Sequence, residues 1–173
     1  EKKEGSLADL LSDFGLNLSS FAASGRSSLS TYLERLPKDV PLLLVHNTFT
    51  TAEDIQKAER EHHQLYWCFC PKANLYIENR LPNLDLFLEA NVRCTLGTDS
   101  LASNDALSIW EEIQCIQNHY PSISLEKLVE WATINGARFL GIDKDYGSIE
   151  KGKIAAINQL VDNKVQPLTL PKF

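Results

Sequence analysis

Pro41-Leu42-Leu43-Leu44-Val45-His46-Asn47 and Val92-Arg93-Cys94-Thr95-Leu96-Gly97-Thr98-Asp99-Ser100 decide the fold of this 173-residue chain. Each is a short apolar run that stops at a side chain able to bind a metal. Uninterrupted apolar runs are the signature of strands buried on both faces of a parallel sheet. Between them, 65–70 reads as a third such strand, ended by Pro71. Where parallel strands alternate with helices, chemistry gathers at the C-terminal strand ends. His46 and Asp99, 53 positions apart, are therefore expected to open onto one site.

The intervening segments read as helices. Thr51 can cap a helix over 52–63, with Glu53 and Asp54 in its first turn, where the helix dipole favours acids. A helix over 81–90 is entered through Pro82 and stopped at Asn91. One over 105–118 carries Leu107, Trp110, Ile113 and Ile116 at helical spacing. Another is capped by Ser124, with Leu125, Leu128, Val129 and Ala132 as its inner stripe, and Gly141 ends the helical region. Upstream, short helices are expected over 5–14 and 30–36, around a Gly/Ser-rich loop at 15–27. A lone strand over 154–160 is expected near the end, followed by an irregular tail. This alternation implies crossover connections and an α/β fold with a parallel sheet.

Composition narrows the function classes. No apolar stretch approaches the ~20 residues of a membrane span. The net charge of −6, with acids and bases interspersed and no basic patch, argues against nucleic acid as a partner. Cys68, Cys70, Cys94 and Cys115 lack CxxC spacing and read as reduced core thiols of a cytoplasmic protein. No signal peptide is visible. The chain contains no methionine, and the expectation is a piece of a longer protein.

His46 is the strongest candidate for chemistry, as a metal ligand through a neutral imidazole nitrogen. The plainer alternative is a histidine hydrogen-bonded at a strand end. Asp99 reads as ligand and proton acceptor, or else as the cap of a following turn. Cys70-Pro71-Lys72-Ala73-Asn74 reads as a substrate-facing loop or an ordinary proline-stopped turn. His62 and His63 are expected at the surface, His119 at a helix end without a catalytic role, and Glu111-Glu112 on a solvated face. There is no nucleophile elbow, P-loop or dinucleotide-binding glycine pattern.

These stretches, with Trp131-Ala132-Thr133-Ile134-Asn135-Gly136-Ala137 and Gly147-Ser148-Ile149-Glu150-Lys151-Gly152-Lys153, resemble the C-terminal half of the amidohydrolase superfamily. The likeness is to the branch of guanine, cytosine and S-adenosylhomocysteine-type deaminases and chlorohydrolases. The resemblance implies strands six to eight of a (β/α)8 TIM barrel over 1–152, and a terminal strand of a small β-sandwich over 153–173. It implies that His46 ends strand six, that Asp99 ends strand eight as metal ligand and proton acceptor, and that Asn74 lies in the substrate pocket. A divalent metal, zinc or iron, is implied. So is hydrolysis of a C–N or C–Cl bond in a small heterocycle, by a homodimer of the complete protein. The His-x-His pair of strand one, the histidine of strand five and the glutamate downstream of it have no counterpart here. This chain alone is therefore expected to be incomplete and inactive. A non-catalytic barrel remnant with a scaffold role is the alternative, and a small α/β domain with an unrelated pocket is a third possibility.

Overall fold

The computed structural model describes residues 4–168. Its heart is the expected strand trio: β1 (Leu42–Val45), β2 (Leu65–Phe69) and β3 (Cys94–Leu96). They run parallel in the order β1-β2-β3, with Leu42 opposite Leu65 and Phe69 opposite Leu96. Parallel pairing requires each connection to return along the sheet, here through helices, before the next strand.

The helices before β2 are α1 (Ser6–Asp13), α2 (Ser28–Leu33) and α3 (Ala52–Glu61). Between β2 and β3 lie α4 (Pro71–Glu78) and α5 (Leu84–Glu89). After β3 come α6 (Ile109–His119), α7 (Leu125–Ala132) and α8 (Ile134–Leu140).

Pleating divides the sheet residues by parity. Leu42, Leu44, Leu65, Trp67, Phe69, Cys94 and Leu96 belong to one core with Leu33, Ile55, Leu84, Phe87, Ile113, Ile116, Leu128 and Trp131 of the helices. Phe87 stands edge-on to both Trp67 and Phe69, with ring centroids 5.2 and 4.9 Å away. The opposite parity places Leu43 with Cys68, Cys70 and Ala73 in a separate, smaller cluster. Among the described residues, β1 and β3 each keep one unpaired edge.

Local chemistry sets the helix ends. Ser108 and Ser124 cap α6 and α7 by accepting from Glu111 N and Lys127 N, both at 3.3 Å. Asn91, at φ 50°, ends α5 in the left-handed conformation that Asn tolerates. Gly141 does the same for α8 at φ 70°. Thr51 and Asp54 form a reciprocal capping box at the start of α3. Asp54 also accepts from the Ser27 and Ser30 hydroxyls, joining α3 to α2. Burial pushes the Asp54 carboxyl up, but the hydrogen bonds from Ser27, Thr51 and Ser30 outweigh it and hold the group below its ordinary value. A depressed carboxyl contributes stability above its unfolded pKa and loses it as pH falls through the folded one. Asp54→Ala in the complete protein should therefore cost about 2 kcal/mol near neutral pH. That cost should begin to shrink as pH falls below roughly 4, and keep shrinking as pH falls through the lower folded value. Urea unfolding of both proteins across pH 3–7 checks this, and a pH-independent difference would contradict it.

Several expectations need correction. The helix expected over 81–90 spans only Leu84–Glu89, with Asn83 at its N-cap. The helix expected from 105 starts at Ile109, leaving Leu107 exposed. On α7 the inner stripe is Leu128 and Trp131, while Leu125 and Val129 are exposed. No residue of α1 is fully buried. His62 is not a surface residue. It leaves α3 in an extended conformation, is 2% exposed, and its Nε2 lies 3.2 Å from the Leu33 carbonyl oxygen, which requires the proton on that nitrogen. His63 is exposed and His119 ends α6, as read from the sequence.

The lone terminal strand is instead a hairpin of β4 (Asn158–Val161) and β5 (Lys164–Pro167). Asp162 and Asn163, at φ 47° and 63°, make a two-residue turn with both residues left-handed, the form that matches strand twist. Asn163 Oδ1 also accepts from Trp110 Nε1 and Gln114 Nε2, at 3.0 and 3.1 Å, which docks the turn on α6. The last five residues of the expected tail, 169–173, lie outside the described residues. Among the described residues, no helix is long and apolar enough to cross a membrane.

Candidate active site at the strand ends

The three parallel strands end on the same side of the sheet, and each end is built differently. Beyond β1 the ladder continues for one bond, from His46 N to the Cys68 carbonyl at 2.9 Å. The chain then turns through two left-handed residues, His46 at φ 72° and Asn47 at φ 60°. Asn47 stabilises the turn by donating from Nδ2 to the Leu44 carbonyl at 2.8 Å. Beyond β3, Gly97 N donates to the Phe69 carbonyl at 2.9 Å, and Asp99 follows at φ 57°. Its Oδ2 accepts from Ser103 Oγ at 2.6 Å. Left-handed backbone is uncommon for residues with a Cβ, and Asn, Asp and His adopt it more readily than the others. Such residues collect at functional sites, and here they include both candidates singled out from sequence.

The end of β2 departs from expectation. Cys70-Pro71-Lys72-Ala73-Asn74 is the start of helix α4 rather than a loop, with Pro71 in its first turn. Proline stops the strand and also suits the first helical position, where its missing N–H is not needed. Asn74 is therefore held on a helix, 2% exposed. Its Nδ2 donates to the buried Thr48 Oγ1, just past the His46-Asn47 turn. Its Oδ1 finds no hydrogen-bond partner among the described residues. An unpaired buried acceptor is costly.

Under these ends lie the sulfurs of Cys68 and Cys70. The Cys70 thiol hydrogen-bonds to the Cys68 sulfur, which lowers the pKa of Cys68 and raises that of Cys70. Nearby Asp99 adds to the rise on Cys70. Gly97 makes room for the pair: a Cβ there would sit 3.1 Å from Cys68 Sγ and 3.3 Å from Cys70 Sγ.

The structure thus places His46 and Asp99 on the outer strands of the trio, with the Asn74 helix rising from the strand between them. Adjacent strands are about 4.8 Å apart, so the two ends are separated by roughly 10 Å of sheet. Imidazole nitrogen and carboxylate oxygen are donors that zinc and iron accept. Among the described residues, however, no three His, Cys, Asp or Glu side chains are gathered to hold a metal. A catalytic zinc takes three protein ligands. The donors fit in kind and not in number.

Sequence reading missed Glu112, which is fully buried rather than on a solvated face. It also missed Thr48 and the tie made by Asn104. The signal for Glu112 was present: it follows Ile109 by three and precedes Ile116 by four, on the apolar stripe of α6.

Comparison with known proteins identifies the family. The model of the Amidohydrolase family matches residues 15–171. A 5-methylthioadenosine/S-adenosylhomocysteine deaminase from Teredinibacter turnerae is 31% identical over 137 residues, covering 73% of this chain and 30% of that protein. A 5'-deoxyadenosine deaminase from Methanococcus maripaludis is 28% identical over 141 residues, covering 78% of this chain and 32% of that protein. Among solved structures, Helicobacter pylori aminofutalosine deaminase superposes with a TM-score of 0.73 at 25% identity, over 90% of this chain and 38% of its own. An adenosine deaminase from Xanthomonas campestris with bound zinc gives 0.67 at 26% identity, over 87% and 34%. The chain spans about a third of the length of these relatives. With the family model matched over residues 15–171, this chain belongs to the amidohydrolase family.

Proposed function

We propose that this chain is the proton-handling and substrate-holding portion of a metal-dependent hydrolytic deaminase. In this reading β1, β2 and β3 are strands six to eight of a (β/α)8 barrel whose part here is 1–152. The segment 153–173, with its hairpin, belongs to a small β-sandwich. The observation that carries the reading is the pair of left-handed, metal-competent residues, His46 and Asp99, at the C-terminal ends of strands that flank the Asn74 helix. The deaminase names of the relatives favour a C–N over a C–Cl bond, and an aminopurine nucleoside as the heterocycle.

When bound, a divalent cation, zinc or iron, lowers the pKa of water towards ~7 and polarises the carbon under attack. His46 and Asp99 would supply two of its ligands, and the residues described here do not complete the set. Asp99 takes a proton from the attacking water as the C–O bond forms, then returns it to the amine nitrogen as the C–N bond breaks. The products are the carbonyl heterocycle and ammonia. Ser103, donating to Asp99 Oδ2, fixes the carboxylate while the proton is in transit. Asn74 Oδ1 accepts from a substrate N–H and so orients the ring. The complete protein is read as a cytoplasmic homodimer.

The test is ammonia release by the complete, metal-loaded protein from adenosine, 5'-deoxyadenosine, 5-methylthioadenosine, S-adenosylhomocysteine and guanine. Turnover of at least one is expected. If metal-loaded protein releases neither ammonia from these nor chloride from chlorinated analogues, the reading gives way to a non-catalytic scaffold.

A further inference from the structure

Glu112 is a buried carboxylate that the chemistry above does not use. It sits on α6, 0% exposed, and both of its oxygens are engaged by different parts of the site. Oε2 accepts from the backbone N–H of Lys72, in the first turn of α4, at 2.9 Å. Oε1 accepts from Asn104 Nδ2 at 2.7 Å. The same Asn104 nitrogen donates to the Thr98 carbonyl at 2.8 Å, one residue before Asp99. Asn104 is itself oriented, since its Oδ1 accepts from Ala106 N at 3.3 Å. A second strap runs in parallel, where the Lys72 ammonium contacts the carboxylates of Asp105 and Glu111.

The helix bearing Asn74 and the turn bearing Asp99 are thus fastened to one side chain. A surface glutamate would do neither task, because both bonds need the carboxylate inside. Burial pushes this carboxyl up, opposed by the bonds from Lys72 N and Asn104. A negative charge at the start of α4 also suits the helix dipole.

We propose that Glu112 is a positioning residue for the deamination site, clamping the Asp99 turn through Asn104 and the Asn74 helix through Lys72 N–H. This rests on the reading of Asp99 as the proton carrier. Asp99 adopts a left-handed conformation at φ 57°, so its turn depends on the contacts around it. The Asn104 bond to the preceding carbonyl is one of the contacts that enforces it. Loss of the clamp lets the carboxylate drift, and a displacement of about 1 Å from reacting atoms can cost roughly 100-fold in rate.

Glu112→Gln is the informative change. Glutamine has one acceptor oxygen where two donors converge. Its amide nitrogen must then face either Lys72 N–H or Asn104, and Asn104 cannot flip without losing Ala106 N and the Thr98 carbonyl.

The experiment is a mutant cycle in the complete, metal-loaded protein, with 5-methylthioadenosine as substrate and metal content and circular dichroism as controls. Glu112→Gln alone should keep fold and metal and lower kcat by about 10- to 100-fold. In a protein already carrying both Asp99→Asn and Asn74→Ala, the same change should cost less than about threefold more, because residues acting through one another are not additive. Unchanged kcat in Glu112→Gln, or an equal loss in both backgrounds, overturns the proposal. If that variant does not fold, Asn104→Ala runs the same cycle, cutting only the arm to Thr98, and the same outcomes decide. Normal turnover by Asp99→Asn alone would instead sink the assignment of Asp99, and the clamp would fall with it.

Discussion

Asp99→Asn in the complete, metal-loaded protein should lower kcat by about 10²–10⁴, the range for loss of a general base. The substitution isolates the chemistry unusually well. Asparagine keeps the shape of aspartate and one carbonyl oxygen to accept from Ser103 Oγ. It also tolerates the left-handed backbone at φ 57° at least as well as aspartate does, so the turn after β3 should survive. What disappears is the ability to take a proton from water and return it to the departing amine. Metal should be largely retained, because an amide oxygen can still act as a neutral ligand. Steady-state kinetics with metal analysis on the same sample separates the two properties. Near-normal turnover at full metal occupancy would remove Asp99 from the mechanism.

Loss of His46 should act on the metal first. In the complete protein, His46→Ala should weaken metal affinity by at least the roughly 10- to 100-fold that follows loss of an outer-shell partner. Activity at limiting metal should fall in proportion. The backbone complicates the alanine variant, since His46 sits at φ 72° and a Cβ is strained there. His46→Gly provides the control, because glycine adopts this conformation freely. Both variants lack the imidazole, so both should lose metal alike, whereas a backbone effect would affect alanine alone. Metal titration of both against the parent decides it. Full stoichiometry and turnover in the glycine variant would show that His46 is not a ligand.

Much of the scaffold was legible because its signals are local. The three strands announced themselves as apolar runs bounded by proline, glycine and polar residues. The Thr51 and Ser124 caps follow from hydroxyls placed just before helical periodicity, whereas the Ser108 cap fell inside the helix expected from 105. The errors came where a local signal had two meanings. Pro71 was read as a stop and is also the first turn of α4. Val161-Asp162-Asn163-Lys164 held the turn chemistry of a hairpin, yet the tail beyond it read as irregular. His62 and Glu112 look like surface residues by composition. Burial of a polar side chain depends on partners remote in sequence: the Leu33 carbonyl for one, Lys72 N–H and Asn104 for the other.

The sequence by itself determined the parallel α/β character, the candidates His46 and Asp99, and the family. Strand hydrophobicity, caps and strand-end residues are properties of neighbours along the chain. Only the tertiary structure decided that His46 and Asp99 adopt left-handed conformations. It also decided that Asn74 is buried on a helix with one acceptor unpaired, and that Glu112 joins the two segments flanking the site. The Asn74–Thr48 and Glu112–Lys72 bonds span 26 and 40 residues of chain, and such contacts appear only when three strands pair in register and bring their ends together.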